Sequence, residues 1–170
     1  MFFRIAGTLL VMAGSVGIGF YLSAKERFRV QDLLEFKKGF MILSSEIEHM
    51  RCALPTACAN ISKRTSGGVS GVFARFAEIL NDGDETAYQA WLVAMQNSEI
   101  WLAAEDRTIL EDFGKTLGYL DKKMQQNAID HVVAYIDEKT AQLSAQSAKT
   151  TRMYRSLGAV GGLLLAVVLW

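Results

Sequence analysis

The sequence predicts an all-α protein: a membrane-anchored bundle of about six helices, whose long first and last helices extend into N- and C-terminal transmembrane segments. Three observations carry this. Apolar residues recur at steps of three and four, the period of one helix face. One proline occurs in 170 residues, and no run alternates apolar and polar residues as a half-buried strand would. All 18 carboxylates lie between residues 26 and 138, which leaves both ends without acidic groups.

Residues 5–24 carry no charge. As a helix they extend about 30 Å, the thickness of a bilayer's hydrocarbon core. Arg4 precedes them, and Lys25, Arg27 and Arg29 come directly after. A cleaved signal peptide is the competing reading, with Gly17 and Gly19 as small residues before the cleavage site. Dense cations immediately beyond the apolar run disfavour export of the downstream chain, so an anchor is expected. Ala13 with Gly17, and Ser15 with Gly19, are small residues four apart. They suit close approach of a second helix, or simply reflect how common glycine is in membrane helices.

From Leu33 the stripe runs Leu33, Phe36, Phe40, Leu43, Ile47, Met50 and Leu54. Nothing between Ala24 and Leu33 breaks a helix, so the first span is expected to continue as one rod. Pro55 stops it and suits the first turn of a second helix, 55–63. With Gly67, Gly68 and Gly71, residues 65–71 read as the loosest stretch, and a helix is expected over 72–80. Asn81, Asp82 and Gly83 form a turn, and Asp84 is the expected cap of a helix over 85–96. Its apolar stripe is Tyr88, Trp91, Leu92 and Met95. Glu105 and Asp106 open the next helix, where carboxylates favour the N-terminal dipole. It carries Ile109, Leu110, Phe113 and Leu117, and Gly118 ends it. The last helix starts near Asp121 with a stripe of Ile129, Val132, Ile136, Thr140, Leu143 and Ser147.

Residues 157–170 are again free of charge and extend about 21 Å as a helix, short for a span. Adding 153–156, with Arg155 snorkelling, lengthens this to about 27 Å. Trp170 then sits at the far interface, and Gly158 with Gly162 forms another small-residue pair. The alternative is a helix lying against the membrane or the first span. The expected division is an N-terminal transmembrane helix (1–24), a helical-bundle domain (25–152) and a C-terminal apolar membrane helix (153–170). Lys25, Arg27, Arg29, Lys149, Arg152 and Arg155 gather at the two roots. The positive-inside rule puts the middle domain in the cytoplasm, where Cys52 and Cys58 stay reduced.

Lys and Arg equal Asp and Glu in number, 18 each, which speaks against a strongly basic nucleic-acid binder. The sequence has no phosphate-binding G-x-x-x-x-G-K-[ST] and no nucleophile elbow around Ser70. A zinc site from His49, Cys52, Cys58 and His131 is conceivable, but there is no C-x-x-C, and the two cysteines straddle Pro55. Asp82, Asp84 and Glu85 superficially match a calcium loop but lack its remaining spacing. No catalytic, cofactor or metal site is therefore expected, and the protein is read as not an enzyme. Residues 78–112 hold nine carboxylates against Arg107 alone, a net charge of −8. This reads either as a solvated face or as a docking surface for a basic partner, with Asp82, Asp84, Glu85, Glu105 and Asp106 as candidate contacts.

Several segments resemble the stage III sporulation protein AB family of endospore-forming Firmicutes, in matching order along the whole chain. Residues 53–57 (A-L-P-T-A) stand where the family has T-P-L-P-E-A, with Thr56 in place of its Glu. Residues 73–78 (F-A-R-F-A-E) resemble its F-x-x-F-A segment, and 86–91 (T-A-Y-Q-A-W) its x-A-x-x-A-W helix. Residues 117–121 (L-G-Y-L-D) with Gln125 resemble L-G-x-S-D-x-x-x-Q, Leu120 replacing Ser. Tyr154 to Gly158, continuing through Gly162 to Leu165, is the most specific match. The resemblance implies a subunit of the complex linking mother cell and forespore, at the mother-cell side of the membrane around the engulfed forespore. It implies an all-helical fold similar to the platform proteins of type II secretion and type IV pilus systems. The implied partners are the complex's own cytoplasmic ATPase, other channel subunits, lipid and further copies of the chain, with no nucleic acid and no cofactor. The alternative is a membrane-anchored helical-bundle enzyme or metal-dependent regulator unconnected with secretion.

Overall fold

A computed structural model describes the backbone of residues 2–49, 53–83, 85–117 and 121–168, and the side chains of 25–48, 53–83, 85–117 and 121–146. The described residues form six helices: α1 (Phe2–His49), α2 (Leu54–Ser62), α3 (Gly67–Asp82), α4 (Ala87–Gln96), α5 (Ala104–Phe113) and α6 (Lys122–Val168). A 3-10 turn, Gly114–Thr116, comes after α5, and no strand occurs among the described residues. The expected all-helical class and the helix number agree with this. α1 has 48 residues and α6 has 47, so each rod is about 70 Å long. As expected, α1 runs through residues 24–33 without a break.

Successive helices alternate in direction along the bundle. α2 returns along α1, placing Ile61 beside Gly39 and the Ser66 amide on Glu35 Oε2 at 2.9 Å. α3 runs back out past Gly39, where Phe73 packs. α4 returns until the Glu99 carbonyl meets Gly68. α5 runs outward to Gly114, against Trp91 and Tyr88. α6 closes the bundle antiparallel to α1, with Lys37 Nζ 2.5 Å from Asp137 Oδ1 and Lys122 donating to the Glu48 carbonyl.

The predicted α1 and α6 stripes are buried through Leu43 and Leu143, whereas Tyr88, Leu92 and Ile109 are only partly buried, and α2 and α3 add Cys58, Ile61, Val72, Phe73 and Phe76 to the core. Leu33, Phe36, Phe40 and Leu43 from α1 meet Ile129, Val132, Ile136, Thr140 and Leu143 from α6, all buried. Between them stands an aromatic cluster of Phe36, Phe40, Phe73, Phe76, Trp91 and Phe113, with neighbouring ring centroids 4.6 to 6.2 Å apart. Most of these pairs are tilted or edge-to-face, the arrangement that ring quadrupoles favour. The buried indole of Trp91 donates from Nε1 to the Leu110 carbonyl at 2.7 Å, so this polar group has its partner.

Three boundaries differ from expectation. α5 ends at Phe113 and passes into the 3-10 turn, with Leu117 extended beyond it, and Gly118, its expected end, lies outside the described residues. α3 begins at Gly67, not at 72, so the glycines expected to loosen residues 65–71 lie inside a helix. Gly68 is required by packing, because a Cβ there would lie 1.9 Å from the Glu99 carbonyl oxygen. Ser70 Oγ donates to the Ser62 carbonyl at 2.7 Å and ties the α3 start to the α2 end. α4 begins at Ala87 with Thr86 as its cap, its hydroxyl accepting from the Gln89 amide. Asp84, the expected cap, lies outside the described residues. Gly83 caps α3 with φ at +79°, a conformation glycine adopts without strain.

Among the described residues no helix is long and apolar enough to cross a membrane. The side chains of both charge-free ends, including the pairs Ala13/Gly17, Ser15/Gly19 and Gly158/Gly162, lie outside the described residues.

Candidate functional site

The densest polar cluster lies where α1, α5 and α6 meet, one turn before Leu33. Arg29 continues the α1 core stripe by a step of four, so its side chain points into the bundle and is only 18 % exposed. Its Nε donates to Asp106 Oδ2 at 2.6 Å, and its Nη2 donates to Asp106 Oδ1 and Glu105 Oε1, each at 2.9 Å. The Tyr135 hydroxyl donates to Asp106 Oδ1 at 2.8 Å, and the Ala103 amide donates to Oδ2 at 3.0 Å. Lys139 Nζ lies 2.6 Å from Glu105 Oε1.

The electrostatics stem from these partners. Burial alone pushes the Asp106 carboxyl up, but the hydrogen bonds from Arg29, Tyr135 and Ala103 outweigh it and hold the group below its ordinary value. Lys139 and then Arg29 lower Glu105. The bond to Asp106 keeps the Arg29 guanidinium charged, and burial and Asp106 together push the Tyr135 phenol up. Both Asp106 oxygens are occupied and the phenol is held protonated. The arrangement clamps three helices and offers no unengaged base or nucleophile.

A second buried carboxylate sits one turn further along. Asp32 is 9 % exposed, and its Oδ2 accepts from the Trp101 amide at 2.6 Å. Burial pushes this carboxyl up, the Trp101 amide partly offsets that, and Glu35 nearby adds to the rise.

The structure separates the candidate acidic contacts. Asp106 is 0 % exposed and faces inward, so in this fold its carboxylate belongs to the helix clamp and not to an outer surface. Glu105 is 56 % exposed but pairs with Arg29 and Lys139 at the end of the bundle where Arg29 lies. Asp82 and Glu85 are exposed at the opposite end, at and beyond the last turn of α3, while Asp84 lies outside the described residues. α3 starts beside Asp32 and rises for about 22 Å to Asp82, so the acidic residues divide between two ends of the bundle. One continuous acidic patch is not formed.

Arg29 also departs from expectation. Its place in the sequence groups it with the root cations facing lipid, yet its charge is spent inside the bundle, whereas Lys25 and Arg27 are exposed or nearly so. The signal was present in the sequence: Arg29 is in phase with Leu33, and Tyr135 and Lys139 flank the stripe of Val132, Ile136 and Thr140.

Among the described residues no three His, Cys, Asp or Glu side chains are grouped to hold a metal. Cys58 is buried in the core and His131 is exposed on α6; the side chains of His49 and Cys52 lie outside the described residues. A shallow groove of about 410 Å³ runs between α1 and the end of α2, with Leu34, Met41 and Ile42 beside Lys37, Lys38 and Arg64.

A model of the stage III sporulation protein AB family matches residues 4–170. The chain is 26 % identical over 170 residues to the stage III sporulation protein AB of Bacillus subtilis (strain 168), covering 98 % of each chain. A solved stage III sporulation protein AB superposes with a TM-score of 0.66 at 24 % identity, over 71 % of this chain and 97 % of that one. The similarity to that structure supports the helical fold.

Proposed function

Because the chain belongs to the stage III sporulation protein AB family, we propose that it is the structural membrane adaptor, or platform subunit, of the sporulation complex that links mother cell and forespore. In this reading residues 1–24 and 153–170 are membrane helices and 25–152 form a cytoplasmic domain that engages the complex's ATPase. The observation that carries the proposal is the geometry of the two long rods. α1 and α6 leave the same end of the bundle, antiparallel, and each continues as helix into a segment without charge. The opposite end presents Asp82 and Glu85. In this reading the exposed Lys25 and Arg27 face the lipid, and Asp82 and Glu85 face the cytoplasmic partner.

The test is calorimetric titration of the detergent-solubilised chain with the cognate sporulation ATPase at low and high salt. Binding that weakens as salt rises supports an electrostatic docking face. Absence of binding at both salts, with the chain folded by circular dichroism, removes the ATPase from the proposal.

A further inference from the structure

Phe28 and Trp101 are large aromatic side chains left about half exposed, at 50 % and 46 %. Their rings stack on each other, with centroids 5.8 Å apart and planes 28° from parallel. They come from different parts of the chain: Phe28 from α1, and Trp101 from the segment between α4 and α5. That segment is pinned. The Trp101 amide is held by buried Asp32, and the Glu99 carbonyl abuts Gly68, where no Cβ fits. The exposure is therefore built into the fold and is not the accident of a loose loop.

Position along α1 indicates what this aromatic pair meets. Phe28 stands four residues beyond Ala24, the last residue of the charge-free run, on the same unbroken helix. Four residues rise about 6 Å along the axis. The headgroup layer on each side of the hydrocarbon core is about 5–7 Å thick. Lys25 and Arg27 lie at the same level. Aromatic rings are enriched in that layer, and Lys and Arg there attract anionic lipid.

We infer that Phe28 and Trp101, flanked by Lys25 and Arg27, form an interfacial seat that rests the helical bundle on the membrane's headgroup layer. The seat adds the pinned segment between α4 and α5 to the lipid contact beside the root of α1, which restrains the bundle from tilting about that root. The inference rests on the membrane-anchor reading above, and its experiment separates the two.

The full-length chain carrying Trp170→Phe is reconstituted into vesicles of phosphatidylcholine and phosphatidylglycerol. The remaining tryptophans are Trp91, buried in the core, and Trp101. Fluorescence is read with a nitroxide placed on the lipid headgroup, and separately near the acyl terminus. The contribution of Trp101, defined by subtracting the Trp101→Phe/Trp170→Phe chain, is expected to fall by about half with the headgroup label and little with the deep one. Equal emission in labelled and unlabelled vesicles, from a chain that resists carbonate extraction, overturns the seat but leaves the anchors standing. It would leave the aromatic pair as a surface for a protein. A chain recovered outside the vesicle fraction overturns both.

Discussion

Arg29 and Asp106 are 77 residues apart in the chain and meet through two hydrogen bonds of 2.6 and 2.9 Å, with Asp106 wholly buried. Asp106 also closes the first turn of α5 by accepting the Ala103 amide, and it takes a third helix through Tyr135. One carboxylate therefore sets the position of α5 against both long rods. The attraction within a buried pair is largely offset by the desolvation of its members, so the cluster matters chiefly for fixing which helices meet.

Removing one partner leaves the other buried and unpaired, which is the costly case. Asp106→Ala is expected to destabilise the bundle by about 3 kcal/mol. Tyr135→Phe, which removes one hydrogen bond, is expected to cost about 1 kcal/mol. The Arg29→Ala/Asp106→Ala chain should lose clearly less than the sum of the single losses. Thermal unfolding of the detergent-solubilised chains by circular dichroism measures each of these. An Asp106→Ala chain that melts with the parent would show the clamp to be dispensable.

The two buried acids respond to pH with opposite sign. Asp106 is held below 3.8 in the folded chain, so its contribution is complete above that value and is lost as pH falls through the depressed folded pKa. Asp32 is raised above 3.8, so the folded chain takes up its proton first, and stability rises as pH falls towards 3.8 from above. Asp32→Asn keeps an oxygen to accept the Trp101 amide and removes the desolvated charge. Its melting temperature at neutral pH should equal or exceed the parent's, with the difference shrinking in mild acid. Asp106→Asn should melt below the parent at neutral pH, with the gap closing only in strong acid. A lower neutral melting temperature for Asp32→Asn would mean that the charge itself holds the 97–103 segment.

Much of this was legible in the chain, because three- and four-residue spacing reports the helix face directly. The α1 stripe through Leu43 and the α6 stripe through Leu143 are buried as that spacing requires. What spacing does not report is distance between helices. Gly67, Gly68 and Gly71 look locally like a flexible linker, and only the Glu99 carbonyl, 31 residues on from Gly68, explains why the helix there carries no side chain at Gly68. In the same way, the −8 charge of residues 78–112 looks like one acidic surface on paper. The length of α3 divides it, and Arg29 and Lys139 from outside that window neutralise its root-end half.

That division gives the docking proposal a directional test. Asp82→Lys/Glu85→Lys should weaken ATPase binding about tenfold at low salt, an effect of the order of 1.4 kcal/mol, and by less at high salt. Glu105→Gln, at the opposite end, should leave the affinity unchanged. The reverse pattern in calorimetry would place the contact at the Arg29 end of the bundle.

Gly68 and Gly71 lie one turn apart on α3 and should answer the same substitution with opposite signs. A Cβ at Gly68 would lie 1.9 Å from the Glu99 carbonyl oxygen and 2.7 Å from its carbon. Both are backbone atoms, held by the α4 end on one side and by the Asp32 bond to Trp101 on the other, so neither can yield without moving a helix. Gly68→Ala is expected to destabilise by about 2 kcal/mol, the usual cost of overpacking. At Gly71 the nearest atom to an added Cβ is Ser98 Oγ at 3.8 Å, an ordinary contact. Gly71→Ala therefore adds a better helix former without a clash and should stabilise by roughly 0.5–1 kcal/mol. Melting temperatures of the two chains, compared with the parent in the same detergent, decide the matter. If both substitutions stabilise, the α4 end is not locked against α3, and the pinning of Trp101 falls with it.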